Sequence, residues 1–494
     1  MSAIGIIQTK SKILAGVACL ALAGCVGGGP IASAGSPITA NESQQGSEAH
    51  PQLVSEFGGA MSGPQADYVV SVGKNIAVQS GLGGAREDFT VTLLNSSVNN
   101  AFAIPGGYVY VTRQLTGLMN NEGELAAVLG HEVGHVAARH SAKRQQTAQQ
   151  NQIFGVLGQI LSGVLLGDSA LGRIGQQISS TVPQLATLRY SRGQELEADE
   201  LGIQYLSTAG YDTRSMATLL SSLAAQNSLD AQLQGRDARM PEWASTHPDP
   251  ASRVQTALQK AGADAAGVVN RDTFLNRIDG IMYGDDPKQG VIEGSSFIHP
   301  EFRLRFTAPD GYYMVNGAAA VSINGQTGKA QLSTARYSGN LDSYIRQVFQ
   351  ALGGSEQTLA PQSMERTTVN GIPAAYGMAR VNNGQQEVDV VVYAYEFAND
   401  RAFHFAAIAP AGQANVFNPM FASMRRISTA EANAVTPRRI DVVTVRSGDT
   451  VSSLAARMGY DDAREARFRV LNGLSSSDGL RAGDKVKLVV RTSS

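Results

Sequence analysis

Apolar residues recur at helical spacing through Tyr68, Val69, Val72 and Ile76, so a helical region is predicted from about residue 51. A second apolar stripe, Leu125, Val128, Leu129 and Val136, predicts a helix from Glu122 to about Arg144. Between them, Phe89 to Leu94 and Tyr108 to Thr112 alternate as strands do. The turn signal Pro105-Gly106-Gly107 makes this stretch read as a β-hairpin with an irregular edge. Ile153 to Leu166 is apolar except for Gln159 and Ser162. It is too short to span a bilayer, and reads as a core helix or as a lid or membrane-facing loop. Gln194 to Ala209 predicts another helix, and further helices run to about Asn276. After about 285 the texture becomes mixed. Phe302 to Phe306 and Val388 to Tyr395 alternate as strands, and Leu341 to Leu352 predicts a helix capped by Asn340.

The predicted fold class is α+β, and 494 residues suggest about three domains. A mainly helical domain with a small β-hairpin or sheet occupies 51–285. An α+β domain without an evident constellation of chemistry occupies 286–430, residues 431–440 form a linker, and 441–494 form a small βααβ module. Residues 1–24 read as an export signal: Lys10 and Lys12 precede an apolar run from Ile13 to Ala23. The run ends Leu22-Ala23-Gly24-Cys25, which resembles the bacterial lipobox and implies that Cys25 carries lipid. Residues 25–50, rich in Gly, Ser, Ala, Pro and Gln, then read as a flexible tether. Val26, rather than Asp, follows the cysteine, and by resemblance to Gram-negative lipoproteins this favours an outer-membrane anchor facing the periplasm.

Composition narrows the chemistry. A formal net charge of −2 argues against a dedicated nucleic-acid binder, which needs a basic face. The cysteines are Cys19 and Cys25, so the folded part has no disulfide and no cysteine nucleophile. A metal there must be held by His and carboxylates. His131-Glu132-Val133-Gly134-His135 offers them: positions i and i+4 share one helix face, so His131 and His135 can bind one Zn²⁺, with Glu132 as general base toward the attacking water. The third ligand is sought on a later helix, in Ser191-Arg192-Gly193-Gln194-Glu195-Leu196-Glu197-Ala198-Asp199. Glu195 would bind the metal, and Asp199, four residues on, would accept the second N–H of a ligand histidine. Glu197 points about 200° away at 3.6 residues per turn and reads as solvated. His140 falls on the wrong side of a continued helix and reads as a surface residue. The alternative is a pair of surface histidines and an acidic helix face without metal.

With these motifs and Asn100-Ala101-Phe102-Ala103-Ile104-Pro105-Gly106-Gly107, the region from about 51 to 280 resembles the CAAX prenyl protease/HtpX-like zinc metallopeptidases, of the gluzincin type. Its texture is nearest to periplasmic members of the β-barrel assembly-enhancing kind. The resemblance implies one Zn²⁺ per chain and further roles. His247, in Ser245-Thr246-His247-Pro248-Asp249-Pro250, would be an oxyanion donor or a regulatory occupant of the open metal position. Arg253 would be an oxyanion or substrate-carbonyl donor. Asn100, Ala101 and Phe102 would lie on a strand that binds substrate by β-addition, although Phe102 suits core packing equally well. The helical repeats of those periplasmic members are not found here, nor is the prenyl protease's bundle of membrane spans. The tail, with Ser447-Gly448-Asp449-Thr450, Leu471-Asn472-Gly473 and Ala482-Gly483-Asp484-Lys485-Val486, resembles the LysM module. That implies peptidoglycan binding, or a LysM-like fold used as a protein contact.

The expected function is therefore a zinc-dependent endopeptidase of the bacterial cell envelope, lipid-anchored, acting on protein or peptide substrates in quality control. Two rivals stay open: a peptidase of peptidoglycan cross-links, and a non-enzymatic wall-binding or chaperone lipoprotein.

Overall fold

The structure, a computed structural model, describes residues 35–143, 190–233, 247, 249–262, 267–353, 359–382 and 387–492. The export signal, Cys25 and the apolar run 153–166 lie outside the described residues. Helix α1 (Ala40–Glu56) starts at a capping box, in which the Thr39 hydroxyl accepts from Glu42 N and the Glu42 carboxylate accepts from Thr39 N. Leu53 and the following Phe57 pack against Leu94, Phe102, Ile104 and Tyr110. This corrects the expected tether of 25–50. From Thr39 onward the chain is capped and docked, because polar composition hid an apolar stripe that begins only at Leu53.

Helix α2 (Pro64–Ala77) leads to three short strands, β1 (Thr90–Leu94), β2 (Ala101–Ile104) and β3 (Tyr108–Thr112). The sheet order is β1-β3-β2. The expected hairpin of the first and last strands is corrected: β1 pairs with β3 in parallel, and β2 forms the antiparallel hairpin with β3. Gly106 and Gly107 both have positive φ, 92° and 83°, which makes the tight turn possible between β2 and β3. Helices α3 (Arg113–Leu118), α4 (Glu122–Ala137), α5 (Arg192–Thr208), α6 (Ser215–Leu233), α7 (Pro250–Ala261) and α8 (Arg271–Ile278) follow. Their apolar stripes meet in one core: Val69 and Ile76 of α2, Leu125 and Leu129 of α4, Leu206 of α5, Leu220 of α6, Phe274 and Ile278 of α8.

The central region is a separate unit. Strands β4 (Val291–Glu293), β5 (Ser296–His299) and β6 (Leu304–Thr307) join a later short strand in a four-stranded sheet. Strands β7 (Tyr313–Asn316), β8 (Val321–Asn324), β9 (Lys329–Thr334), β10 (Ser363–Val369), β11 (Ile372–Asn382), β12 (Glu387–Ala398) and β13 (Arg401–Pro410) form a seven-stranded sheet, order β10-β11-β12-β13-β9-β8-β7. Alternation along β12 divides its residues between two cores. Val390, Val392 and Ala394 face helix α9 (Leu341–Gly353), while Val391 and Tyr395 face an aromatic layer with Phe306 and Phe421. Asn340 caps α9 as expected, accepting from Ser343 N at 2.9 Å. Helix α10 (Asn418–Ser423) and strand β14 (Arg425–Arg426), the fourth strand beside β6, complete this unit.

The C-terminal module has the expected βααβ order: β15 (Arg438–Thr444), then two helices at Val451–Ala455 and Arg464–Leu471, then β16 (Lys485–Arg491) antiparallel to β15. The expected linker 431–440 is corrected. A short helix covers Thr429–Ala434, and β15 starts at Arg438. β15 also bonds to the end of the helical domain: Gly280 N donates to Ile440 O and Ile440 N donates to Ile281 O, each at 2.9 Å. Ile440, Phe468, Leu471 and Leu488 join the same core as Phe274, Ile278 and Ile281. Lys487 is fully buried, and its ammonium donates to the carbonyls of Gly117, Leu118 and Met119 at the end of α3.

Candidate metal centre

The site begins with how α4 and α5 meet. Asn121 caps α4 by accepting from Glu124 N. Ser191 caps α5 in a capping box with Gln194, which puts Glu195 in the first turn, where the helix dipole favours a carboxylate. The two helices cross at small residues. A Cβ at Gly134 would lie 3.0 Å from Ala198 O, and one at Gly202 would lie 3.1 Å from His131 N. Glycine at these two positions lets the backbones approach closely enough for side chains of α4 and α5 to share one point.

Four donors converge there. One ligand atom each from His131, His135, Glu195 and His247 lie within 4.8 Å of one another, and all four residues are buried. His135 Nε2 is 3.1 Å from His131 Nε2 and 3.4 Å from Glu195 Oε1. His247 Nδ1 is 3.3 Å from His131 Nε2 and 3.1 Å from Glu195 Oε1. Imidazole nitrogens crowd one another in this way when their lone pairs share a target, and the N,N,N,O set suits a divalent ion such as zinc. Glu132 lies beside the group with its Oε1 3.4 Å from His247 Nε2. That oxygen is buried and makes no hydrogen bond, leaving it available to a proton-bearing guest. The residues present therefore fit a metal ion with a base next to it.

The electrostatics agree with that assembly. Burial raises the Glu132 carboxyl above the usual range, against the pull of His247 and His131. Burial works the same way on Glu195, but His247, His135 and Arg253 outweigh it and hold its carboxyl well below the usual range. Burial pushes the His135 imidazole well below its ordinary value, which favours the neutral ring a metal requires. For His247 burial is outweighed by Glu195 and Glu132, and its value rises.

The other expected residues are placed as follows. Asp199 Oδ1 is 2.9 Å from His131 Nδ1, the position expected for fixing a ligand histidine. Arg253 is buried beside the donors, donating to Asp199 through Nε at 2.8 Å and through a terminal nitrogen at 2.5 Å, and also to Glu195. A guanidinium fork bridging two buried acids neutralises them and sets their position. Of the two readings of Phe102, its side chain takes core packing. Its ring stacks with Tyr110 at 4.6 Å and tilts against Phe57 at 4.9 Å. Asn100 and Ala101 are buried too, and β2 is an edge strand of its sheet among the described residues, packed against α4.

Two neighbours escape a reading of the sequence. His140 is fully buried rather than on the surface, with its Nδ1 2.8 Å from His135 Nδ1. Glu197 is solvent-exposed as expected, with about half its side chain accessible at 49%, and it also pairs with His140. Tyr190 stacks on His135 with ring centroids 3.6 Å apart. The helix expected to continue to about Arg144 ends at Ala137, and Arg139 takes a positive φ of 55°, turning the chain back. No Gly or Pro marks that break, so it has no local signal; Tyr190 has none beyond preceding an N-cap serine.

Comparison with known proteins gives two domain matches. Residues 64–261 match Peptidase family M48, and residues 443–489 match the LysM domain. The chain is 32% identical over 197 residues to the beta-barrel assembly-enhancing protease of Yersinia pestis, covering 39% of this chain and 38% of that protein. The protein of the same name from Escherichia coli K12 is 30% identical over 197 residues, with the same coverage. Mitochondrial metalloendopeptidase OMA1 of Schizosaccharomyces pombe is 29% identical over 217 residues, 43% of this chain and 59% of that protein. The chain thus spans less than two thirds of the length of each of these relatives. A crystal structure from Bacteroides thetaiotaomicron covers 41% of this chain at 11% identity, with a TM-score of 0.24, a likeness too slight to carry an argument.

Proposed function

The chain carries a Peptidase M48 domain and a LysM domain, and on that premise we propose that it is a zinc metalloendopeptidase of the bacterial cell envelope, acting on misfolded or stalled proteins. The convergence of His131, His135, Glu195 and His247 on one point, with Glu132 alongside, carries this reading. The first three would hold the ion, as two neutral imidazoles and one carboxylate. When bound, zinc supplies Lewis acidity that polarises a peptide carbonyl and acidifies water. Glu132 takes a proton from the attacking water and delivers it to the leaving amine; burial favours the protonated form it needs for the second step. Asp199 fixes the His131 tautomer, and Arg253 holds Asp199 and Glu195 in register. A peptide substrate adds to the edge of β2 through its main chain, because the side chain of Phe102 is spent on packing.

His247 sits among the donors, and a catalytic site needs one open position. We read the described arrangement as a latent state from which His247 withdraws on activation. Cys25 anchors the chain to a membrane by lipid, and the LysM domain directs it toward peptidoglycan. No helix among the described residues is long and apolar enough to cross a membrane. The names of the relatives, which say protease, support proteolysis over wall hydrolysis.

The test is Glu132→Gln. The variant retains one zinc by elemental analysis and loses cleavage of an unfolded protein by about 10³-fold or more. Undiminished cleavage refutes the mechanism. Parallel digestion of purified peptidoglycan separates the rival: activity on the wall alone reverses the substrate assignment.

A further inference from the structure

The two α4 histidines are held from behind by different devices. His131 Nδ1 meets the carboxylate of Asp199, itself clamped by Arg253. At His135 the same atom meets another imidazole: Nδ1 lies 2.8 Å from His140 Nδ1, and His140 Nε2 lies 3.1 Å from Glu197 Oε2. A neutral imidazole has one N–H and one lone pair, whereas an ionised carboxylate only accepts. With both rings neutral, as binding of a metal by His135 requires, each carries one N–H and one lone pair. Glu197 then requires the His140 proton to sit on Nε2, so His140 Nδ1 is an acceptor. His135 must donate to it from its own Nδ1. The His135 lone pair is thereby left on Nε2, the atom that faces His131 and Glu195. The turn at Arg139 makes this possible by folding His140 back over His135. It is secured from outside the site: Arg139 pairs with Glu42 at 2.8 Å and donates to the carbonyl of Ser36 at 2.9 Å.

We infer that His140, oriented by Glu197, is a positioning residue that fixes His135 in the tautomer whose Nε2 is free to bind the metal. The inference rests on the zinc reading above. It assigns the chain a carboxylate–imidazole–imidazole line behind one ligand and a guanidinium–carboxylate pair behind the other.

The experiment measures zinc affinity of the full chain by competition with a chromophoric chelator, alongside the thermal melt of the metal-free protein. His140→Leu removes the acceptor at similar bulk and weakens zinc about 10- to 100-fold. His140→Asn, whose side-chain oxygen can take the place of Nδ1, restores affinity to within about threefold of wild type, on the same hydrogen-bond logic. Glu197→Ala, at a half-exposed side chain that folding tolerates, gives an intermediate loss and carries the test if the Leu variant does not fold. A purely structural role would lower the melt of the Leu and Asn variants alike, with no rescue of affinity. Wild-type affinity in Glu197→Ala and in any folded His140→Leu overturns the inference, as does an Asn variant no better than Leu. Wild-type protein that takes up no zinc overturns the metal reading itself, and this inference with it.

Discussion

The helical domain and the LysM domain are far apart in sequence yet share one core, whereas the central domain between them keeps cores of its own. Phe274, Ile278 and Ile281 pack with Ile440, Phe468 and Leu488, while Phe306, Phe405 and Phe421 close on one another. The difference lies in what is buried. The helical domain buries charge at its centre and carries an ammonium from the LysM domain under α3. The central domain buries mainly aliphatic and aromatic side chains between sheets and helix. The LysM domain covers the apolar face of Phe274, Ile278 and Ile281, whereas the central domain closes on itself.

The largest effect should come from separating the partners. Ending the chain at residue 435 uncovers Phe274, Ile278, Ile281 and Tyr283, which are buried in the intact protein. At about 1.5–3 kcal/mol per side chain the loss is on the order of 5 kcal/mol or more. The truncated chain should lose its cooperative melt and its capacity to bind a metal. Excising 291–434 with a short Gly-Ser bridge should keep both, because Tyr283 N already donates to Arg438 O at 2.9 Å. A truncated chain that melts and binds zinc like the whole protein would break the comparison.

Lys487→Met probes the same seam more finely. Burial pushes the Lys487 ammonium well below the usual lysine range, and the Glu124 carboxylate opposes that. Losing the ammonium leaves three buried carbonyls without their donor, at a cost of about 3 kcal/mol by urea denaturation.

The central domain should respond to acid instead. Burial pushes His404 down to about 4, and His299 likewise to about 4, from an ordinary 6.5. Between those values the unfolded chain binds protons that the folded one does not. Stability is therefore fully present above about pH 6.5 and is lost as pH falls toward 4, by about 3 kcal/mol per ring. Hydrogen-exchange protection of β13 amides should fall over that window, and a flat profile would contradict it. The smallest effect is Asn340→Ala, which removes the α9 cap and should cost the central domain about 1 kcal/mol without touching zinc affinity.

Much of the site is legible in the amino-acid order. The i, i+4 pair His131 and His135 and the pair Glu195 and Asp199 follow from helical periodicity, and the Ser191 capping box marks where the second helix starts. Other features are not legible there. That Arg253 turns inward to two buried acids is one of them. Phe102 suits cleft and core equally, and the arrival of α1 decides for the core. α1 itself reads as tether, since its apolar residues come late, although the capping box between Thr39 and Glu42 is a local signal that marks its start.

The amino-acid order alone determined which residue types share a helix face, where helices begin, and that the metal ligands must be His and carboxylate. These are local properties, set by a repeat of about 3.6 residues and by hydrogen bonds within a few positions of the chain. Only the tertiary structure decided that His140 stands behind His135, that Tyr190 covers it, and that the LysM domain completes the helical domain's core. Those contacts depend on an unmarked break at Arg139 and on surfaces distant in sequence. Their free energy comes from burial between elements, which no period along one element records.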